Sequence, residues 1–260
     1  MLANALVGHT GFVGSNLLRQ RPFEACFNSS NIQDIGGQGY DLLVFAGAQA
    51  KKWWANDNPQ ADRAGIERAV AALRGVRAQR AVLISTVDVI PAGIDAADET
   101  VDCEQAATHP YGAHRFWLEQ EFRARYPDCL VVRLPGLFGP GLKKNVIFDL
   151  LTGNQCEKIN RLSQFQYYDL ARLWSDIEIA LRERLGLVHL FTEPVATQTI
   201  IERCFPDVEV GAEAGPFASY DFRTRHGRLF GGDDRYIEAA DSVMRRLADF
   251  VAAARKSGTP

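Results

Sequence analysis

The sequence predicts an α/β fold built on a doubly wound parallel sheet. Three observations predict it. Short runs that are apolar throughout recur along the chain, with helix-like stretches between them. Strands of that kind are buried on both faces, the condition of a parallel sheet covered by crossover helices. The first such run meets a glycine triplet and then an amphipathic stretch, the order of strand, tight turn and helix. Finally, the 260 residues, 47% hydrophobic and 23% charged, are enough for one large core with a smaller lobe.

The elements follow in order. Ala5 to Val7 is the first strand and the stretch beyond Gly14 the first helix. Ala25 to Phe27 is a short second strand, and Leu42 to Ala46 a fully apolar third that ends in Gly47. Asn58-Pro59 places a cap and a proline at a helix start that runs to Leu73. Ala81 to Ile84 is a strand closed by Ser85 and Thr86, Tyr111 to Tyr126 a helix stopped before Pro127, and Leu130 to Leu134 a buried strand closed by Pro135 and Gly136. Beyond Gly141 the pattern loosens. Val146 to Leu151, Leu170 to Leu185 and Val195 to Phe205 read as helices and Val188 to Phe191 as a last strand. Residues 206–235 show no clear period, and Tyr236 to Ala254 is a terminal helix with Ile237, Val243, Leu247 and Val251 as core contacts. The architecture expected is a Rossmann-like core, residues 1–140 plus 166–191, with a small C-terminal substrate lobe of residues 141–165 plus 192–260.

Charge and cysteine content narrow the function. A net charge of −3 gives no electrostatic reason for nucleic-acid or membrane binding. No apolar run approaches the roughly 20 residues of a membrane span, and the N-terminus reads as a strand rather than a signal peptide. Cys26, Cys103, Cys129, Cys156 and Cys204 are scattered, odd in number and without a Cys-x-x-Cys pair, so neither a disulfide framework nor a metal site is expected. A reduced, cytoplasmic protein is the resulting expectation.

Ligands of such sheets bind beyond the carboxyl ends of the strands, where Gly8, Gly47, Thr86 and Gly136 fall. In the turn, Gly8 permits the reversal, Gly11 lets backbone approach a pyrophosphate, and Gly14 lets the helix pack close to the strand. Phe27-Asn-Ser-Ser-Asn31 ends the second strand without the carboxylate that accepts the ribose hydroxyls of NAD. Asn28 and Ser29 tolerate a 2′-phosphate, with Arg19 and Arg21 close in sequence, which leans toward NADP; the alternative is that they only turn the chain.

Tyr111 and Arg115 lie four apart at a helix start and share a face, with Thr86 on the preceding strand end. With these residues the chain resembles the extended short-chain dehydrogenase/reductase family, the NAD(P)-dependent nucleotide-sugar epimerases, dehydratases and reductases. The resemblance spans nearly the whole chain: Gly8, Gly11 and Gly14; Ala46-Gly-Ala48; Leu83-Ile-Ser-Thr86; Tyr111; Arg133-Leu-Pro-Gly-Leu-Phe-Gly-Pro140; and Phe165-Gln-Tyr-Tyr-Asp-Leu170. It implies a nicotinamide cofactor cradled by Gly8, Thr10, Gly11, Phe12, Val13 and Gly14, flanked by Asn28, Ser29, Ala46, Gly47, Ala48 and Pro135. It implies Tyr111 as acid/base in hydride transfer and Thr86 as its partner on the substrate oxygen. Arg115 stands where the family has a lysine that binds the ribose and favours tyrosinate. A fixed cation there would lower a tyrosine pKa of about 10 by about 1 to 3 units. Gly136 and Gly65 stand where the family has asparagines. A homodimer is a frequent state of the family.

Substrate contacts are expected from Lys51, Gly136, Lys144, Asn145 and Gln166. Lys51-Lys-Trp-Trp54 suits a diphosphate and a stacked ring, or simply packs its indoles; Lys143-Lys-Asn145 reads equally as a solvated turn; Gln164, Gln166 and Tyr168 line a pocket or form an ordinary surface strand. The function expected is hydride transfer on a nucleotide-activated sugar, by epimerisation or keto-reduction. The alternative is a non-catalytic dinucleotide-binding sensor or scaffold, which the departures at Arg115, Gly65 and Gly136 favour.

Overall fold

The structure, a computed structural model, describes residues 2–91, 93–94, 96–104, 109–211 and 215–258. In chain order its elements are β1 (Ala3–Val7), α1 (Phe12–Gln20), β2 (Ala25–Phe27), β3 (Gly39–Phe45), α2 (Lys52–Asp57), α3 (Pro59–Ala72), β4 (Arg77–Thr86), α4 (Pro110–Arg125), β5 (Leu130–Leu134), β6 (Gly136–Phe138), α5 (Val146–Thr152), β7 (Gln164–Phe165), β8 (Tyr167–Asp169), α6 (Leu173–Arg182), β9 (Leu187–His189), β10 (Val195–Ala196), α7 (Thr197–Cys204) and α8 (Ala240–Ser257). They fall into two compact units. The first comprises Met1–Ile94, Thr100–Leu134 and Trp174–His189; the second comprises Asp95–Glu99, Pro135–Leu173 and Leu190–Pro260. Residues 95–99, 135–140, 166–173 and 190–191, expected in the core, belong to the second unit, which includes strands β6 and β8. These two strands pair with each other and with no strand of the large sheet.

The first unit holds a six-stranded parallel sheet in the order β2-β1-β3-β4-β5-β9. The order reverses between β1 and β3, the switch point where such sheets open a crevice at the strand ends. Leu43, Val44, Phe45, Leu83 and Val131 are at most 1% exposed. Central strands covered on both faces have no place for polar alternation, which is why they read as continuous apolar runs. The fold is thus the Rossmann-like α/β class that those runs predicted.

Several elements differ from the sequence reading. β4 starts at Arg77, four residues before the apolar run, because Gly39, Tyr40 and Leu42 of β3 pair with Arg77, Ala78 and Arg80. Backbone pairing extends a strand where polar side chains can still reach water. α2 occupies the loop expected after β3, and the stretch read as one helix from Val195 divides into β10, paired to β7, and α7. Short elements of this kind are fixed by partners remote in sequence and carry no periodicity of their own.

In the second unit β6 runs parallel to β8 and β7 antiparallel to β10. Helix α8 buries Val243, Met244, Leu247 and Val251 at helical spacing. Gly227 and Gly232 sit where any Cβ would lie within 2.2 Å of a backbone oxygen, so the loop between them and Tyr236 closes only with glycine. No helix among the described residues is long and apolar enough to cross a membrane. The five cysteines are free thiols.

Candidate active site

The turn after β1 is built by steric exclusion. Gly8 has φ +88°, and a Cβ there would lie 2.3 Å from the Ala46 carbonyl oxygen, so the turns after β1 and β3 touch backbone to backbone. A Cβ on Gly14 would lie 2.2 Å from the Gly8 oxygen, which makes Gly14 the contact between helix and turn. Gly11 differs. It is exposed, has φ −77°, and its nearest hindrance is the Gly8 oxygen at 3.2 Å. α1 therefore starts with Gly11 at the N-cap, no side chain caps it, and no acid stands in its first turn. Its free N–H groups and dipole form a preformed anion site. A pyrophosphate fits this cradle of Gly8, Thr10, Gly11, Phe12, Val13 and Gly14, and Thr10 is exposed beside it.

At the end of β2, the Asn31 side chain accepts from the Asn28 amide (2.7 Å) and donates to the Cys26 carbonyl (3.1 Å). The Asn28 side-chain Oδ1 accepts from the Ser30 amide (2.9 Å) and hydroxyl (2.6 Å). Asn28 thus turns the chain, while Ser29 is exposed. Gly47 is exposed, and Ala46 and Ala48 are half-buried at the neighbouring strand end.

A cluster of polar and charged side chains lies where α4 meets the end of β4. His109 caps α4, its Nδ1 accepting from the Gly112 amide at 3.0 Å. A Cβ on Gly112 would lie 2.1 Å from the Asp88 carbonyl oxygen, so glycine alone lets the helix start reach the strand end. Tyr111 is held there by its amide, which donates to Asn56 Oδ1 at 3.0 Å. Thr86 accepts from the Asp88 amide and donates to Asp88 Oδ2 at 3.3 Å. The same hydroxyl acts on the Tyr111 phenol, favouring its ionised form. Lys52 Nζ lies 2.5 Å from Asp88 Oδ1, and His109 Nε2 lies 3.9 Å from the same oxygen. The structure thus unites Thr86, Tyr111 and Arg115, and adds Asp88, Lys52, Asn56 and Asp62. Asp88 and Lys52 are adjacent to residues already singled out, whereas Asp62 carries no local signal.

Arg115 departs from expectation. It is 3% exposed, and its guanidinium lies over the Tyr111 ring, 3.9 Å from the centroid. Its Nη1 and Nη2 donate to the two carboxylate oxygens of Asp62, itself 4% exposed on α3. Nη2 also donates to the Gln49 carbonyl and Nη1 to the Tyr111 carbonyl at 3.5 Å. Only Nε has no partner. His114 Nδ1 lies 2.8 Å from the same Asp62 carboxylate. The expected lowering of the tyrosine pKa does not occur: burial pushes the Tyr111 hydroxyl up to about 12, against the opposing pull of Arg115. Desolvation outweighs that pull, and the carboxylates of Asp88 and, less, Asp62 act in the same direction as burial. His109 is held below its ordinary value by burial and by Lys52.

The five expected substrate contacts divide between the two units. Lys51 is exposed at the start of α2. In the second unit, the Gln166 amide donates to the carbonyls of Thr192 (2.5 Å) and Phe222 (2.7 Å) and accepts from the Phe222 amide (2.9 Å), so it is a structural tie rather than a pocket group. Asn145 caps α5 through the Ile147 and Phe148 amides and donates to the Leu137 carbonyl. A Cβ on Gly136 would lie 2.8 Å from the Gln166 carbonyl oxygen, which leaves no room for an asparagine. Lys144 is exposed and Pro135 half-buried in the same unit. That unit also carries a cleft of about 160 Å³ lined by Asp149, Lys158, Asn160, Ser163 and Phe165. No group of three His, Cys, Asp or Glu among the described residues is arranged to hold a metal ion.

Fold and site together define a Rossmann-like α/β protein with a tyrosine, a threonine and an uncapped helix start at one sheet edge. Solved structures of that kind match it. A UDP-glucose 4-epimerase from Thermotoga maritima, solved with UDP-glucose, has a TM-score of 0.71 at 16% identity, covering 98% of this chain and 99% of its own. A dTDP-4-dehydrorhamnose reductase from Clostridium acetobutylicum has 0.72 at 14% identity, covering 96% and 99%. The same enzyme from Bacillus anthracis, in complex with NADP, has 0.72 at 17% identity, covering 97% and 99%. No protein-family model and no curated protein sequence matches the chain. The fold implied by the sequence resemblance is the fold observed.

Proposed function

We propose that the chain is an NAD(P)-dependent oxidoreductase or epimerase of a nucleotide-activated sugar, working by hydride transfer with Tyr111 as acid/base. The observation that carries this reading is the meeting of Thr86 and Tyr111 at the sheet edge that also carries the uncapped start of α1. When bound, the dinucleotide supplies or accepts the hydride. The residues do the rest. Backbone N–H groups of the α1 start hold the pyrophosphate, Thr86 fixes the reacting oxygen, and Tyr111 exchanges its proton. The neighbours with UDP-glucose and NADP support the class of ligand. The absence of a carboxylate at residues 28–31 supports NADP over NAD, with Ser29 as the exposed hydroxyl. Exposed Lys51 is the cation available to a substrate diphosphate in the first unit.

A second reading is a dinucleotide-binding sensor or scaffold without turnover. The neutralised Arg115 and the buried, protonated Tyr111 favour it. One experiment separates the two: calorimetry with NAD and NADP, followed by turnover on a panel of UDP- and dTDP-sugars. Gly11→Ala is the cofactor probe, because a methyl there crowds the pyrophosphate at little cost to the fold, whereas any side chain at Gly14 collides with Gly8. Tyr111→Phe should lower kcat/KM by about 10²- to 10⁴-fold while dinucleotide still binds. Unchanged turnover in Tyr111→Phe rejects the mechanism. Tight dinucleotide binding without any turnover establishes the second reading.

A further inference from the structure

We propose that Lys52 and Asp88 form a diol-binding pair beside Thr86 and Tyr111: the Asp88 carboxylate accepts from one hydroxyl of a neutral vicinal diol, and the Lys52 ammonium donates to its neighbour. The proposal rests on the reading of that corner as the ligand site and names what it holds there besides the reacting oxygen.

The two residues come from different elements. Asp88 lies two residues beyond the end of β4, and its backbone is fixed. Its amide donates to Thr86 Oγ1 at 3.2 Å, and its carbonyl oxygen packs against Gly112 at the start of α4. Lys52 opens α2 and sets its Nζ 2.5 Å from Asp88 Oδ1. Nearby Ala55, Val89, Tyr111 and Arg115 are at most 6% exposed. The pair itself stays open, with 40% of the Lys52 side chain and 19% of that of Asp88 exposed. Ion pairs open to water contribute little to folding, so stability does not account for one at the carboxyl ends of the strands.

Hydrogen-bond capacity singles the pair out. Arg115 is buried, and its Nη donors are committed to Asp62, Gln49 and the Tyr111 carbonyl. His109 accepts at Nδ1 from the Gly112 amide, which leaves its ring proton on Nε2. That nitrogen is 3.9 Å from Asp88 Oδ1, too far to bond it. An ammonium has three donors, and Lys52 gives one of them to Asp88. A carboxylate has about four acceptor positions. Asp88 takes Lys52 on Oδ1 and the Thr86 hydroxyl on Oδ2. Donors and acceptors therefore remain side by side on the open face of the pair.

The charges cancel, so a phosphate or a carboxylate gains no net attraction from the pair. A neutral group that both gives and takes hydrogen bonds fits it. Adjacent hydroxyls of a sugar ring stand about one hydrogen-bond length apart, as Nζ and Oδ1 do. Two ligands carry such a diol: a dinucleotide, on its nicotinamide ribose, and a nucleotide sugar, on its hexose.

Calorimetry on the intact chain separates the two sources. NADP is titrated first, and UDP-glucose is then titrated into the NADP-saturated protein. Lys52→Met removes the donor, and Asp88→Asn removes the charge of the acceptor. Both variants should melt within roughly 4 °C of the wild type, as expected of an exposed pair. Each should lose affinity by roughly 10- to 100-fold, for NADP if the ribose is held and for UDP-glucose if the hexose is held. Lys52→Arg, which keeps charge and donors, should recover most of the loss. In the wild type, the ligand that is held should slow acetylation of Lys52 by acetic anhydride and leave that of Lys256 unchanged, read by mass spectrometry. Unchanged affinity for both ligands in a folded variant overturns the proposal and makes the pair a clip between α2 and β4. Equal acetylation of Lys52 with and without both ligands overturns it even if the variants do not fold. If the affinities and the acetylation behave as stated while no sugar nucleotide is turned over, the diol site stands and the hydride-transfer reading fails. Turnover with unaffected variants has the opposite meaning. A wild type that binds neither ligand overturns both.

Discussion

Among the described residues of the first unit two arginine–carboxylate pairs are buried, and they differ in what they leave unsatisfied. Arg133 of β5 meets Glu119 of α4, with Nε to Oε1 at 3.0 Å and Nη2 to Oε2 at 2.7 Å. Ser85 donates to the same carboxylate at 2.5 Å, and His189 Nε2 lies 3.2 Å from Arg133 Nη1. No Arg133 nitrogen is left without a partner, and the pair ties α4 to β4, β5 and β9. The Arg115–Asp62 pair is as deeply buried, yet Arg115 Nε has no partner and the guanidinium lies on a titratable ring. A closed buried pair is architecture. A pair left open beside a phenol, at the carboxyl ends of the strands, is where the chemistry of a ligand site can be set. The two arginines are indistinguishable by exposure; hydrogen-bond satisfaction and the neighbouring ring tell them apart.

The largest effect should come from breaking the closed pair. Glu119→Ala leaves the Arg133 guanidinium buried without its carboxylate and should cost about 3–5 kcal/mol of stability, read by urea unfolding. The fraction that remains folded should bind dinucleotide with unchanged affinity. A loss of affinity in the folded fraction would make both pairs part of one site.

Next comes the phenol on the open pair. Its folded-state pKa is raised above the unfolded value, so its contribution is complete below about pH 10 and is lost as the pH rises through 12. Over that window Tyr111 should account for roughly 3 kcal/mol of lost stability, two units at about 1.4 kcal/mol each. Tyr111→Phe should lose correspondingly less than the wild type between pH 10 and 12 in denaturant titrations. Equal losses in both chains would mean that Tyr111 is solvated and that the pair beneath it does not confine it.

The smallest effect should come from Arg115→Lys. An ammonium keeps the charge toward Asp62 but cannot fork to both carboxylate oxygens and to Gln49 at once. The loss should be about 1–2 kcal/mol, one or two hydrogen bonds, measured by thermal unfolding. A loss as large as that of Glu119→Ala would place the Arg115 pair among the architectural ones.

The division between the two pairs repeats in how much could be read beforehand. The apolar runs at Ala5, Leu42, Ala81 and Leu130 specified the parallel sheet, because a strand buried on both faces has no freedom in composition. The glycines at 8, 11 and 14 specified the turn, because positive φ at Gly8 and backbone contact at Gly14 admit no side chain. The spacing of Tyr111 and Arg115 specified that they share a helical face, since four residues make about one turn. Their meeting with Thr86 was legible as a resemblance and is realised in the fold. Tertiary structure alone decided the charge around Tyr111. Asp62 lies 53 residues before Arg115, and no local pattern says which carboxylate a buried arginine will meet. It alone also turned Gln166 and Asn145 from polar candidates into backbone ties, since a side-chain amide reveals its partners only once distant chain has closed around it. Sequence fixes what backbone sterics and burial require locally; pairing, desolvation and hence protonation depend on contacts that exist only in the folded chain.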